Sequence, residues 1–123
     1  MTIALNTTLR NDRATAIVTE AGATAKLTVY TAAYAAVLYT STCAATLGTV
    51  AAGVLTLNAV GNATASGAGT ADIARLFKTD GTTMVIEGLT VGTVGTNIVI
   101  TNAVIAINDV VTTSAGTITE GNA

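Results

Sequence analysis

The sequence predicts a mainly β protein: an antiparallel β-sandwich or jelly roll of about seven or eight short strands, preceded by one N-terminal helix. Three observations carry that prediction. The apolar period changes from helical to two after Gly22. Turn signals then recur roughly every eight to twelve residues. The runs between them are rich in β-branched residues, whose stiff side chains suit a pleated surface. Residues 1–123 are read as one domain, with the helix over about 6–21 and the sandwich over about 26–119.

The helix comes first. In NTTLRNDRATAIVTEA, Asn6 to Ala21, Asn6 can cap the first amide groups. Ala14, Ile17, Val18 and Ala21 fall on one apolar face, and Gly22 is a natural stop. Arg10, Asp12, Arg13 and Glu20 lie mainly elsewhere. Arg10 and Arg13 are candidates for docking a partner's carboxylates, because guanidinium pairs with them bidentately. A solvated helix face is the favoured reading of the same residues.

The strands follow. KLTVYT places Leu27 and Val29 on one side, and Thr28 and Tyr30 on the other. VLYTSTC (Val37 to Cys43) and GVLTLNAV (Gly53 to Val60) read as strands, and GNATASGAG as a small-residue connection. The stretch SGAGTADIARLFKTDGTTMVIEG, Ser66 to Gly88, reads as a hairpin turning at Asp80-Gly81. NIVIT (Asn97 to Thr101) is short, VIAIND holds an apolar pair and a turn, and VVTTSAGTIT (Val110 to Thr119) closes the fold.

With a two-residue loop at Asp80-Gly81, Phe77 faces Met84 and Arg75 faces Ile86. Ile73, Phe77, Met84 and Ile86 then form the expected core side. Ala74, Leu76 and Val85 form the other, edged by Asp72, Lys78 and Glu87. That second side is too apolar for open water, so Ala74, Leu76 and Val85 are candidate partner contacts. A longer turn swaps the two sides.

Composition narrows the function. Half the residues are apolar, yet only 3% are aromatic and 10% charged. Ala and Thr supply roughly two-fifths of the chain. So little charge protects a free monomer poorly, which implies a surface covered by another protein, and a symmetric homo-oligomer is expected. A net charge of −2 gives no electrostatic case for nucleic acid. The lone Cys43, among apolar and hydroxylic neighbours, reads as a buried inert thiol. From Leu27 to Ala71 there is no charge. The run YAAVLYTSTCAATLGTVAAGVL has the length of a membrane span. It is rich in Thr, Ser and Gly and lacks a basic flank on its C-terminal side, so no membrane partner is expected. The N-terminus lacks the pattern of a secretory signal, which predicts synthesis and use in the cytoplasm.

Catalytic constellations are poorly supplied. With no histidine the usual nucleophilic triads fail. Scattered carboxylates and one Cys are a weak metal set. Gly67, Gly69 and Asp72 imitate a G-x-G-x-x-G loop, but the third glycine is a carboxylate that repels phosphate. No enzyme activity, cofactor or metal is expected. A receptor- or glycan-binding module has only Tyr30, Tyr34 and Tyr39 as tyrosines for stacking.

Several short motifs stand in a telling order. They are GVLTLNAV, G-T-A-x-x-A-R over Gly69–Arg75, the Asp80-Gly81 turn, V-G-T-x-G-x-x-I over Val91–Ile98 and T-I-T-x-G over Thr117–Gly121. In this order the chain resembles a group of small structural proteins of tailed phages and prophages. The resemblance implies a jelly-roll-like capsid decoration or cement protein on the virion, without catalytic residues. It implies the major capsid protein as partner and a trimer as the favoured oligomer. A tail, neck or fibre part is the alternative. The chain departs from the group at Ala32 to Val37, which is Ala- and Tyr-rich, and at Gly116, where a large apolar residue is common.

Overall fold

A computed structural model describes residues 6–119. Residues 1–5 and 120–123, with Gly121 of the last motif, lie outside the described residues. Helix α1 spans Thr7–Ala21, and the Asn6 side chain accepts from Leu9 N at 2.8 Å, as its cap position predicts. Gly22 closes it at φ 69°, donating its N–H to Val18 O. Ala14 and Ala21 are buried, and Ile17 and Val18 pack against the core beside them.

Twelve strands follow: β1 Lys26–Tyr30, β2 Val37–Thr42, β3 Gly48–Ala51, β4 Val54–Leu57, β5 Ala63–Thr64, β6 Gly69–Thr70, β7 Ile73–Phe77, β8 Met84–Gly92, β9 Ile98–Ile100, β10 Val104–Ile105, β11 Val110–Val111 and β12 Thr113–Thr119. Eight of them form one curled sheet in the order β2-β1-β7-β8-β9-β12-β4-β3. The architecture is mainly β and consistent with a sandwich. Every neighbouring pair is antiparallel except β8–β9, where Val91 pairs with Ile98 in parallel. Parallel neighbours normally need a long crossover. Here residues 93–97 suffice because Asn97 clamps the loop. Its Oδ1 accepts from Thr90 N at 3.0 Å, and its Nδ2 donates to Thr117 O at 3.1 Å.

Two short ribbons, β10–β6 and β11–β5, flank this sheet. The segment expected to be a plain connection therefore contributes strands. It is stapled to the edge of β2, since Ser66 N and Gly67 N both donate to Leu38 O. Gly67 is needed there: a Cβ would lie 2.4 Å from Val37 O. This accounts for the glycine without phosphate. Gly116 has a similar cause. Its missing side chain is replaced by Leu57, whose Cδ1 would sit 2.6 Å from a Cβ.

The helix spans two hairpins. At its N-terminal end, Asn11 Oδ1 accepts from Gly53 N at 2.7 Å, in the β3–β4 turn. At its C-terminal end, Glu20 meets Lys78 at 3.0 Å beside the β7–β8 turn. Thr24 Oγ1 and Thr79 Oγ1 lie 3.1 Å apart just beyond. Helix and sheet share one core, whose largest fully buried side chains are Tyr39, Leu27, Leu38, Leu47, Leu55, Leu76, Ile98 and Ile100.

The β7–β8 hairpin corrects the expected faces. Phe77 does pair with Met84, but Leu76 pairs with Ile86 and Ala74 with Leu89. Two bulges in β8 each shift the register by one, so Arg75 does not face Ile86. Ala74 and Leu76 are fully buried and form core, whereas Met84 is 48% exposed. Ala74 and Leu76 therefore cannot offer a partner contact, and Val85 is half-buried against the core. Truncating Leu76 to Ala should cost about 2–5 kcal/mol in urea unfolding, by transfer and cavity terms. Met84→Ala should change stability by no more than about 0.5 kcal/mol. The opposite ranking would restore the expected faces.

Candidate interaction face

The strand pairings place a defined set of residues on the outer side of the sheet. Along β1, Lys26, Thr28 and Tyr30 pair with Phe77, Arg75 and Ile73 of β7. On either side, Val37 pairs with Tyr30 and Met84 with Phe77. These residues share the outer face of the β2-β1-β7-β8 half. Two large apolar side chains on this face are open to solvent: Val37 is 50% exposed and Met84 48%.

Arg75 sits at the centre. Its guanidinium carbon lies 3.8 Å from the Tyr34 ring centroid and 5.3 Å from that of Tyr30. Its Nε meets Glu87 Oε2 at 3.3 Å. The two tyrosine rings stack edge-on, 5.2 Å apart at 86°. Tyr34 Oη accepts from Gly88 N at 2.8 Å. Gly88 stands at φ 81°, a left-handed conformation that glycine adopts without strain, and it lies in the second bulge. The bulge thus presents the amide that Tyr34 reads. Individually these contacts are modest: about 0.5–1 kcal/mol for an exposed cation–π pair and about 0–1 for a surface ion pair. Together they hold the arginine in one place.

Tyr34 reaches that position from a tight 3-10 turn, Ala32–Tyr34, in which Ala33 and Tyr34 both have φ near 57°. Such values are uncommon for residues other than glycine. The turn is braced by Thr31 N to Ala36 O at 2.9 Å and by Ala36 N to Thr31 Oγ1 at 3.0 Å. The Ala- and Tyr-rich segment Ala32 to Val37 is the one that completes this cluster. No local pattern in the sequence joins Tyr34 to Gly88, because the contact spans 54 positions.

The other expected site residues fare differently. Arg10 is half-buried and packs against the β3–β4 turn, so close that a Cβ on Gly53 would lie 3.0 Å from its Nη1. Its Nε is buried without a hydrogen-bond partner. Arg10 therefore anchors the helix and is not a free docking fork. Arg13 is exposed and carries an interaction of its own. The three tyrosines offer no open stacking platform: Tyr39 is 1% exposed, Tyr30 7%, and the Tyr34 ring is covered by Arg75.

Among the described residues no group of three or more Cys, Asp or Glu side chains is placed to hold a metal ion. No described helix is long and apolar enough to cross a membrane. No family profile, curated protein or solved structure matches this chain.

Two titrating groups carry checkable consequences. Burial pushes the Cys43 thiol up to about 11, with Lys26 opposing weakly. The native protein should resist alkylation at pH 8, and unfolding in urea should release one reactive thiol. Rapid labelling of the native state would overturn its burial. Asp80 is held down to about 2 by the Thr83 hydroxyl, Thr83 N and Thr82 N, which it accepts at 2.6, 2.8 and 2.8 Å. Its folded value lies below the ordinary carboxylate value of about 3.9. The stability it contributes is therefore complete above about pH 4 and lost as pH falls through about 2. Carboxyl NMR should find Asp80 ionised at pH 3, and Asp80→Asn should remove this part of the acid sensitivity.

Proposed function

We propose that this chain is a non-enzymatic structural protein of a tailed-phage particle. In this reading it decorates the assembled head, binds the major capsid protein and reinforces the shell. The observation that carries the reading is the outer sheet face, where Arg75 lies against Tyr30 and Tyr34 and the apolar Val37 and Met84 are exposed. Arginine and tyrosine are the residue types that dominate binding energy at protein interfaces. Pre-ordering them lowers the cost of docking, because the rotamers are already fixed. The ordered motifs that resemble phage structural proteins, and the scarcity of charge, support the same reading.

Reinforcement needs no chemistry. A protein that binds the closed shell and not its dissociated subunits stabilises the shell by mass action. Made in the host cytoplasm, the protein would add to heads after assembly, with a trimer as the favoured form.

Heads carrying the protein should survive heating or low salt that disrupts heads lacking it, and cryo-electron microscopy should place its density on the shell. Arg75→Ala and Met84→Asp should each weaken binding to purified heads by about ten-fold or more. Failure to co-purify with heads, or density on the tail or neck, would overturn the assignment.

A further inference from the structure

Among the described residues, three buried hydroxyl oxygens have no hydrogen-bond partner in the protein: Tyr39 Oη, Ser41 Oγ and Thr113 Oγ1. Tyr39 and Ser41 are each 1% exposed and share the inner side of β2. A buried hydroxyl left unpaired loses its hydration without compensation, so native cores rarely keep one. Two of the three stand together. The Thr113 hydroxyl, on β12, is near enough to act on the Tyr39 phenol, yet the two oxygens are not placed to bond each other. Burial pushes the phenol up to about 12, so Tyr39 keeps its proton at neutral pH. Both groups therefore donate as well as accept.

The neighbouring chain opens a route to them. The β4–β12 ladder ends at the Thr56–Thr117 pair, and beyond it the two chains part. One side is drawn toward β2 and β3. Asn58 N bonds Leu47 O at 2.9 Å, Asn58 Nδ2 bonds Thr46 O at 3.0 Å and Gly61 N bonds Thr42 O at 2.9 Å. The other side stays with β9, where Thr113 pairs with Ile100 and Ser114 Oγ donates to Val99 O at 3.2 Å. The parting leaves an open cleft of about 130 Å³ between Leu57–Val60 and Thr113–Gly116. One water needs roughly 10–15 Å³ of such space, so several fit. Thr113 belongs to the cleft wall, while its Oγ1 is buried on the Tyr39 side.

We propose that a water molecule enters from this cleft and is held between Tyr39 Oη and Thr113 Oγ1 as a fixed part of the native core. The donor set selects water. Both hydroxyls are neutral and the cleft wall is made of uncharged residues, so an ion finds no counter-charge. A water can bond both hydroxyls and keep a further bond for the solvent behind it. The consequence is structural. Strands β2 and β12 are four strands apart in the sheet order and share no ladder. A bridging water links them across the core by a polar contact. This inference concerns the fold and does not rest on the capsid reading.

The sign of one substitution tests it. Tyr39→Phe keeps the ring and removes only the hydroxyl. With the water bound, urea unfolding should show the folding equilibrium constant falling about five-fold, and Thr113→Val should do the same. The double variant should lose about as much as either single one, because one water serves both groups. A Tyr39→Phe protein as stable as wild type, or more stable, would overturn the proposal, since an unpaired hydroxyl is removed without cost. A direct Tyr39–Thr113 bond would give the same coupling, so the water is read separately on the wild-type chain. A high-resolution crystal structure should show water density between the two oxygens. Oxygen-17 relaxation dispersion should count one long-lived water more in wild type than in the double variant. Two oxygens in direct contact, or a dry gap between them, would defeat the idea even if neither variant folds.

Discussion

The two bulges of β8 against β7 are the constraint on which the rest of this molecule depends. A strand presents alternate residues to opposite faces, so a shift of one position reverses what lies beyond it. Without the shifts, Arg75 would oppose Ile86, and a cation would sit across from an aliphatic residue. With them, Leu76 opposes Ile86 and Ala74 opposes Leu89, and these side chains join the core. Arg75 is left on the outside beside Glu87, and Gly88 offers its amide to Tyr34. One local irregularity therefore places the core side of the hairpin and builds the centre of the opposite face.

The remainder of the fold shows how a core with few large side chains is closed. Among the residues that seal it are Ala14, Ala21, Ala25, Ala65, Ala71 and Ala74, all nearly inaccessible. Small side chains bury little apolar area each, at roughly 25 cal/mol per Å2. They compensate by allowing close approach. Gly67 lets its segment lie against β2, and Gly116 makes room for Leu57. Helix α1 adds a brace of another kind. Its ends are bonded to the turns of two different hairpins, through Asn11 at one end and Glu20 at the other. The polar side of the helix is thus partly structural, which explains why Arg10 is drawn inward from the solvated role its type suggests.

Local signals were legible in the sequence and relational ones were not. Asn6 and Gly22 mark the helix because capping is a property of one turn. The β1, β2, β7, β8, β9 and β12 regions were visible as β-branched runs with alternation. Strand β3 was hidden because GTVA has little apolar contrast, and because its turn uses Ala52 at φ 51° where Asn or Asp is the usual signal. The ribbons were hidden because two-residue pairings leave no period to detect. The Asp80-Gly81 turn and its first pair, Phe77 with Met84, were readable. The bulges beyond it were not, since Val85 and Gly88 carry no mark that fixes a register. The arginine–tyrosine cluster inherits that blindness, because its members come from β1, the 3-10 turn, β7 and β8.

The chemistry of the exposed surface divides in two. On the sheet face, a cation is held by two rings and one carboxylate, and the exposed Val37 and Met84 share that face. Such a face gains specificity from the charge, because a mismatched partner must leave Arg75 or its own carboxylate unpaired when water is excluded. Along the flanking ribbons, Val104, Ile107 and Val110 are exposed beside the Asp109 carboxylate, which keeps its charge while accepting from Ala106 N. Both surfaces therefore carry charge, so ionic strength bears on a contact at either.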